Sequence, residues 1–182
     1  MNIMDMHEHR GGHEHHDGHE HNGRHLESGR SCGTIDQTEK EKASVKAEID
    51  KWLATNKDKS LAPVEIETII HVVHPNNLTA NEVHGNEQAQ VDVLNDAFST
   101  TRFSFKLVEV QVHNNITWWT DEGATDYVYT SMQPDTRSGT YATLNVWFNT
   151  AGGLLGYATF PSFNSGDKYD GVVCLHSSGP EG

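Results

Sequence analysis

Apolar residues recur with period two from residue 64 onward. Val64, Ile66, Thr68, Ile70 and Val72 share one strand face, and Ile69 and Val73 add apolar groups to the other. An interior strand covered on both sides has that pattern. Pro75-Asn76-Asn77 then reads as a turn. Over 86–98 the spacing changes to three and four: Val91, Leu94 and Phe98 form a stripe flanked by Ala97, which predicts a helix. Residues 102–112 return to period two. Phe103, Phe105 and Leu107 alternate with Arg102, Ser104 and Lys106, and Val108, Val110 and Val112 then alternate in the opposite phase. A one-residue slip of that kind predicts a bulge.

A weaker helix is expected over 124–134. Leu144, Val146 and Phe148 mark another strand, and Gly171 to His176 the last. Upstream, residues 36–54 read as a helix. Asp36-x-x-Glu39 is a candidate capping box, and Val45, Ile49, Trp52 and Leu53 fall on one face. This order predicts an α/β (α+β) fold with a twisted mixed sheet and packed helices.

Composition divides the chain. Hydrophobic residues make up 35% of 182 and mean hydropathy is −0.64. Residues 1–31 hold most of the deficit, with His, Glu, Asp and Gly interleaved and no apolar periodicity, and are expected to be disordered. Residues 61–182 carry 14 acidic and 4 basic residues, which argues against nucleic acid as a partner, because phosphate binding needs clustered Lys and Arg. No apolar run is long enough to span a membrane. Met1 to Gly12 lacks the apolar core of a secretory leader. Asn77-Leu78-Thr79 and Asn115-Ile116-Thr117 match the glycosylation sequon, a pattern that also arises by chance.

Several groups are candidates for chemistry. His7, His9, His13, His15, His16, His19, His21 and His25 would chelate zinc, nickel or copper loosely, since a fixed site needs a scaffold. Cys32, within Arg30-Ser31-Cys32-Gly33-Thr34, is a candidate metal ligand, a free thiol or a disulfide partner of Cys174. His71 and His74, three apart on a strand, face opposite ways and suit a core better than a shared metal. Gly152 to Pro161 reads as a Gly-rich loop entering an apolar strand, without the Lys and Ser/Thr of a phosphate loop.

Several of these segments, in order, resemble pappalysin-type metzincin proteases, most nearly the secreted single-domain fungal and bacterial members. They are Ile69-Ile70-His71-Val72-Val73, the Gln88 to Phe98 helix with its Gln-x-x-x-Leu-Asn-x-x-Phe pattern, Phe103-Ser104-Phe105 with Leu107, Leu144-Asn145-Val146, Gly152 to Pro161, and Asp170-Gly171-Val172-Val173. Arg30 to Gly33 resembles the family's cysteine-switch segment. The resemblance implies zinc-dependent proteolysis of peptide or protein substrates by a secreted, monomeric enzyme, with calcium as a further candidate ion. It implies a metzincin-like upper subdomain over 61–182, a propeptide-like segment over 32–60, a latency ligand at Cys32, and a substrate-binding edge strand of Leu154, Leu155, Gly156, Tyr157 and Ala158.

No His-Glu-x-x-His occurs in the chain, so no catalytic residue is carried over. The family's zinc-binding helix is expected to follow Gly182, leaving this chain inactive alone and its strands from Val64 to Val73 and Leu144 to Phe148 short of cover. The rival reading is a non-catalytic, His-rich metal-binding or peptide-binding protein with a degenerate metzincin subdomain.

Overall fold

The structure, a computed structural model, describes residues 31–57, 61–76, 86–120, 131–160 and 168–180. Residues 1–30, with the His-rich segment and Arg30, lie outside these, as do Asn77-Leu78-Thr79 and most of the helix expected over 124–134.

Among the described residues, five strands form one mixed sheet: β1 (Val64–His74), β2 (Phe103–Asn114), β3 (Leu144–Asn149), β4 (Gly156–Ala158) and β5 (Val172–Leu175). Their spatial order is β2-β1-β3-β5-β4. The first four neighbours run parallel, and β4 alone runs antiparallel, against β5. The expected α+β fold with a mixed sheet is therefore observed.

Strand β1 lies inside the sheet, and its burial deepens from Thr68 onward, where β3 joins on its second side. The predicted bulge is present. Thr68 faces Leu107 but Ile69 faces Glu109, which leaves Val108 without a register partner and exposed. One extra residue in β2 accounts for the phase reversal seen in its sequence.

Helices α1 (Glu39–Thr55) and α2 (Glu87–Ala97) precede and follow β1. The cap of α1 differs from the one expected. Thr38 and Glu41 form the capping box, with the Thr38 side chain accepting from the Glu41 amide and Glu41 accepting from the Thr38 amide. Both pairs have acceptable spacing, but only Thr38 stands at the cap with extended backbone. The predicted apolar stripe of α1 exists, yet Ile49, Trp52 and Leu53 are exposed and α1 buries no residue.

Two further α-helices are short, α3 (Ile116–Thr120) and α4 (Met132–Thr136), and single 3-10 turns span Ala151–Gly153 and His176–Ser178. Helix α4 overlaps the C-terminal part of the helix expected over 124–134, the rest of which lies outside the described residues. It begins after Ser131 and stops at Arg137, whose guanidinium is drawn instead to Asp170.

The sheet has two covered faces. On one, Ile70, Val146 and the partly buried Val72, Phe148 and Cys174 pack with Val91 of α2. On the other, Val73, Trp147, Val173 and Leu175 pack with Met132 and Ala151 under Trp118 and Trp119. The expected lack of cover for Val64–Val73 and Leu144–Phe148 is thus corrected at their centres. Ile69, Ile70, Val73, Val146 and Trp147 are all buried within the chain itself. The two tryptophans of α3, for which no element was expected, supply much of that cover.

Candidate functional site

The candidate site is the outer edge of β4. The chain leaves β3 at Asn149 and turns sharply at Ala151, Gly152 and Gly153, all with positive φ (48°, 57° and 87°). Such backbone is cheap for glycine and costly for other residues. Ala151 tolerates it while fully buried, its amide donating to Asn149 Oδ1 at 2.7 Å. Leu154 and Leu155 then pack against the Trp147 core, and Gly156–Ala158 forms the edge strand. Gly156, Tyr157 and Ala158 therefore form the strand at the sheet edge, and Leu154 and Leu155 lie in the turn that leads into it.

That edge is covered. Residues 31–34 run alongside it as a short extra strand, and Cys32 pairs with Gly156 in parallel sense. The Leu155 amide donates to the Ser31 carbonyl at 3.1 Å, and the Gly33 amide donates to the Gly156 carbonyl at 2.9 Å. The Ala158 amide donates to Thr34 Oγ1 at 3.1 Å. Pairing of this kind satisfies backbone groups that a free edge leaves to water. Two features separated by more than a hundred residues in sequence, Cys32 and the Leu154–Ala158 segment, are thereby brought together.

Glycines at both partners permit the approach. A Cβ at Gly33 would collide with Leu154 Cδ1, and one at Gly156 would lie 2.6 Å from the Val173 carbonyl oxygen. The reason for Gly33 is thus close contact with Leu154 and Tyr157.

The disulfide alternative is not formed. Cys32 and Cys174 are both free thiols. Each is registered against Gly156, from opposite sides. With strands about 4.8 Å apart, their Cα atoms stand about 10 Å apart, beyond disulfide reach. The Cys32 side chain is exposed and donates weakly to Thr34 Oγ1 at 3.4 Å. Cys174 faces the α2 side of the core, and burial pushes its thiol pKa up.

His71 and His74, expected to face opposite ways, contact two different tryptophans of the same covered face. His71 is fully buried, stacked 4.7 Å from Trp147, while His74 packs against Trp119. The sequence reading missed that His71 belongs to a chain of polar groups. Its Nε2 lies 2.8 Å from Asn145 Oδ1, and its Nδ1 lies 3.1 Å from His113 Nε2. Asn145 is fixed by Nδ2 donating to Ser138 O and Oδ1 accepting from Ser138 N. His71 must then carry its proton on Nε2 and accept from His113 at Nδ1. Burial is the main cause lowering the His71 pKa to about 4, and burial lowers that of His113 as well. The signal was the register of β1 and β2, which pairs His71 with Gln111 beside His113. No motif in the sequence marks it.

The described residues do not make up a zinc or calcium site. Among the described residues no three His, Cys, Asp or Glu side chains gather to hold a metal. Cys32 offers one sulfur donor, without companion ligands among the described residues. Among the described residues, no helix is long and apolar enough to cross a membrane.

No family model matches the chain, and no solved structure matches it. Curated relatives do. The chain is 34% identical over 171 residues to an extracellular metalloprotease of Colletotrichum graminicola, covering 84% of this chain and 56% of the relative. It is 32% identical over 159 residues to one from Arthroderma benhamiae, covering 84% and 52%. It is 31% identical over 160 residues to extracellular metalloprotease 1 of Coccidioides posadasii, covering 84% and 56%. The chain thus spans about half the length of the curated relatives it matches, and over that half it is similar to fungal proteins named extracellular metalloproteases.

Proposed function

We propose that this chain is the N-terminal part of a secreted zinc metalloendopeptidase of the pappalysin type. Its β4 edge is the strand that receives substrate, and residues 31–34 hold that edge closed. The observation that carries the reading is the parallel pairing of Cys32 with Gly156. An extended peptide binds a sheet edge by completing its ladder, with backbone bonds supplying affinity and alternate side chains supplying selectivity. The Ser31, Gly33 and Thr34 partners already use the Leu155 and Ala158 amides and the Gly156 carbonyl. A substrate must displace them.

The metal itself is read from the relatives' names and the family resemblance. In such enzymes zinc lowers the pKa of its bound water. In this chain Cys32 is proposed as the latency ligand, a thiol carried into the cleft by the pairing on either side of it. Residues 32–60 act as the propeptide-like segment, and the chain works as a monomer on peptide or protein substrates.

The test joins this chain to the part of the Colletotrichum graminicola relative that it does not match. Chelator-sensitive hydrolysis of casein that rises when Cys32 is replaced by Ala is the expected result. A chimera that folds but never cleaves, with or without residues 1–34, overturns the protease reading and favours the peptide-binding alternative.

A further inference from the structure

Asn115 stands between β2 and α3, and the structure commits all but one of its polar groups. Its amide donates to the His74 carbonyl at 3.0 Å, and its carbonyl accepts from Trp119 N at 2.9 Å. Its side-chain Oδ1 accepts from Thr117 N at 3.0 Å and Trp118 N at 3.2 Å, capping the helix. Among the described residues nothing takes Nδ2. The next two residues, Ile116 and Thr117, are exposed, and Ile116 at 58% is more exposed than the other large apolar residues described. Asn115-Ile116-Thr117 also satisfies the sequon, with a middle residue that is not proline.

We propose that Asn115 is an N-glycosylation site whose glycan is carried by a side chain that simultaneously caps α3. The inference rests on the extracellular reading above, because the sugar donor, a lipid pyrophosphate-linked oligosaccharide, is found in the secretory lumen. In the transfer, Nδ2 forms a bond to sugar C1 and loses one proton. The C1–O bond to pyrophosphate breaks, and the lipid pyrophosphate leaves with the bonding pair. Oδ1 takes no part in the new bond, so the cap is kept. The sugar lies over Ile116, shielding exposed apolar surface that no described residue covers.

The experiment secretes the full chain from yeast behind an added leader, in an Asn77→Gln background so that only the second sequon remains. N-glycanase is expected to remove one glycan and convert Asn115 to Asp, a mass change located by peptide mapping. Asn115→Asp and Thr117→Ala abolish the shift, and Thr117→Ser keeps it. Because Asp still caps the helix, the Asn115→Asp protein is expected to fold; material held inside the cell is scored by the same digestion. N-glycanase-insensitive Asn77→Gln protein, or a shift that survives Asn115→Asp, overturns the site. The added leader forces entry to the lumen, so a negative result counts against the site itself.

Discussion

Cys32 and Gly156 are paired in parallel sense at the outermost strand of the sheet, with the Gly33 amide on the Gly156 carbonyl at 2.9 Å. The pairing joins a segment near the start of the chain to one near its end. It also places Gly156 between two cysteines, with Cys174 registered on its other side. At residue 33 a side chain would have to displace the end of the Leu154 side chain.

Gly33→Val is therefore expected to release residues 31–34 while leaving the sheet intact. Val at this position drives Cβ into Leu154. Amide exchange at Leu155 should accelerate at least about tenfold, corresponding to about 1.4 kcal/mol of lost local protection. Exchange at Ile70 and Val146, in the core, should not change. Unaltered protection at Leu155 would show that the pairing tolerates a side chain.

Gly153→Ala isolates backbone strain. A Cβ there meets no atom within 4 Å, but φ is +87°. The cost is conformational, and roughly 1 kcal/mol is expected in urea unfolding. The same substitution at Gly156, where φ is not positive, costs sterically instead: its Cβ would lie 2.6 Å from the Val173 carbonyl oxygen, backbone that cannot readily shift, and it should cost more.

Stability should fall with acid through His71. Its folded pKa of about 4 lies below its ordinary value of 6.5. The unfolded chain then binds the proton more readily. The stabilisation is fully present above pH 6.5 and is lost progressively as pH falls toward 4. The loss is bounded by about 3 kcal/mol for this group. Denaturant melts between pH 7 and 5 should show the slope, and His71→Phe should flatten it. A slope unchanged by that substitution would assign the acid sensitivity elsewhere.

Trp147 is fully buried, stacks on His71 and donates from Nε1 to Thr136 Oγ1 at 2.8 Å. Trp147→Ala is expected to cost about 3–5 kcal/mol and to leave little folded protein. Trp147→Phe keeps a ring against His71 and should cost less, with the midpoint of thermal melting as the readout.

The pure chain is expected to hydrolyse neither casein nor peptides, with or without added zinc, because it carries no His-Glu-x-x-His. Residues 1–30 should still bind nickel weakly, at several sites, with binding fading below about pH 6 as imidazoles protonate. Chelator-sensitive proteolysis by pure protein would contradict the first expectation, and a single tight calorimetric site the second.

The alternation of Val64 to Val73, the stripe of Val91 and Leu94, and the reversed phase at Val108 determined by themselves three elements and one bulge, because burial imposes those periods on the residues directly. They did not determine the cap of α1. Asp36 and Thr38 both start a box of the right spacing, and backbone conformation at the turn chose Thr38. Nor did they reveal α3: five residues are too few for a helical period, and its cover over Trp147 depends on Asn149 and Thr150 holding the Trp118 and Trp119 carbonyls. At the site, the sequence marked Cys32 and Leu154–Ala158 separately, each through its resemblance to a family segment. That they meet, in parallel and through Gly33, is a property of the fold, as is the link from His71 to His113. Pairings between distant segments are set by sheet order and register, which no local pattern encodes.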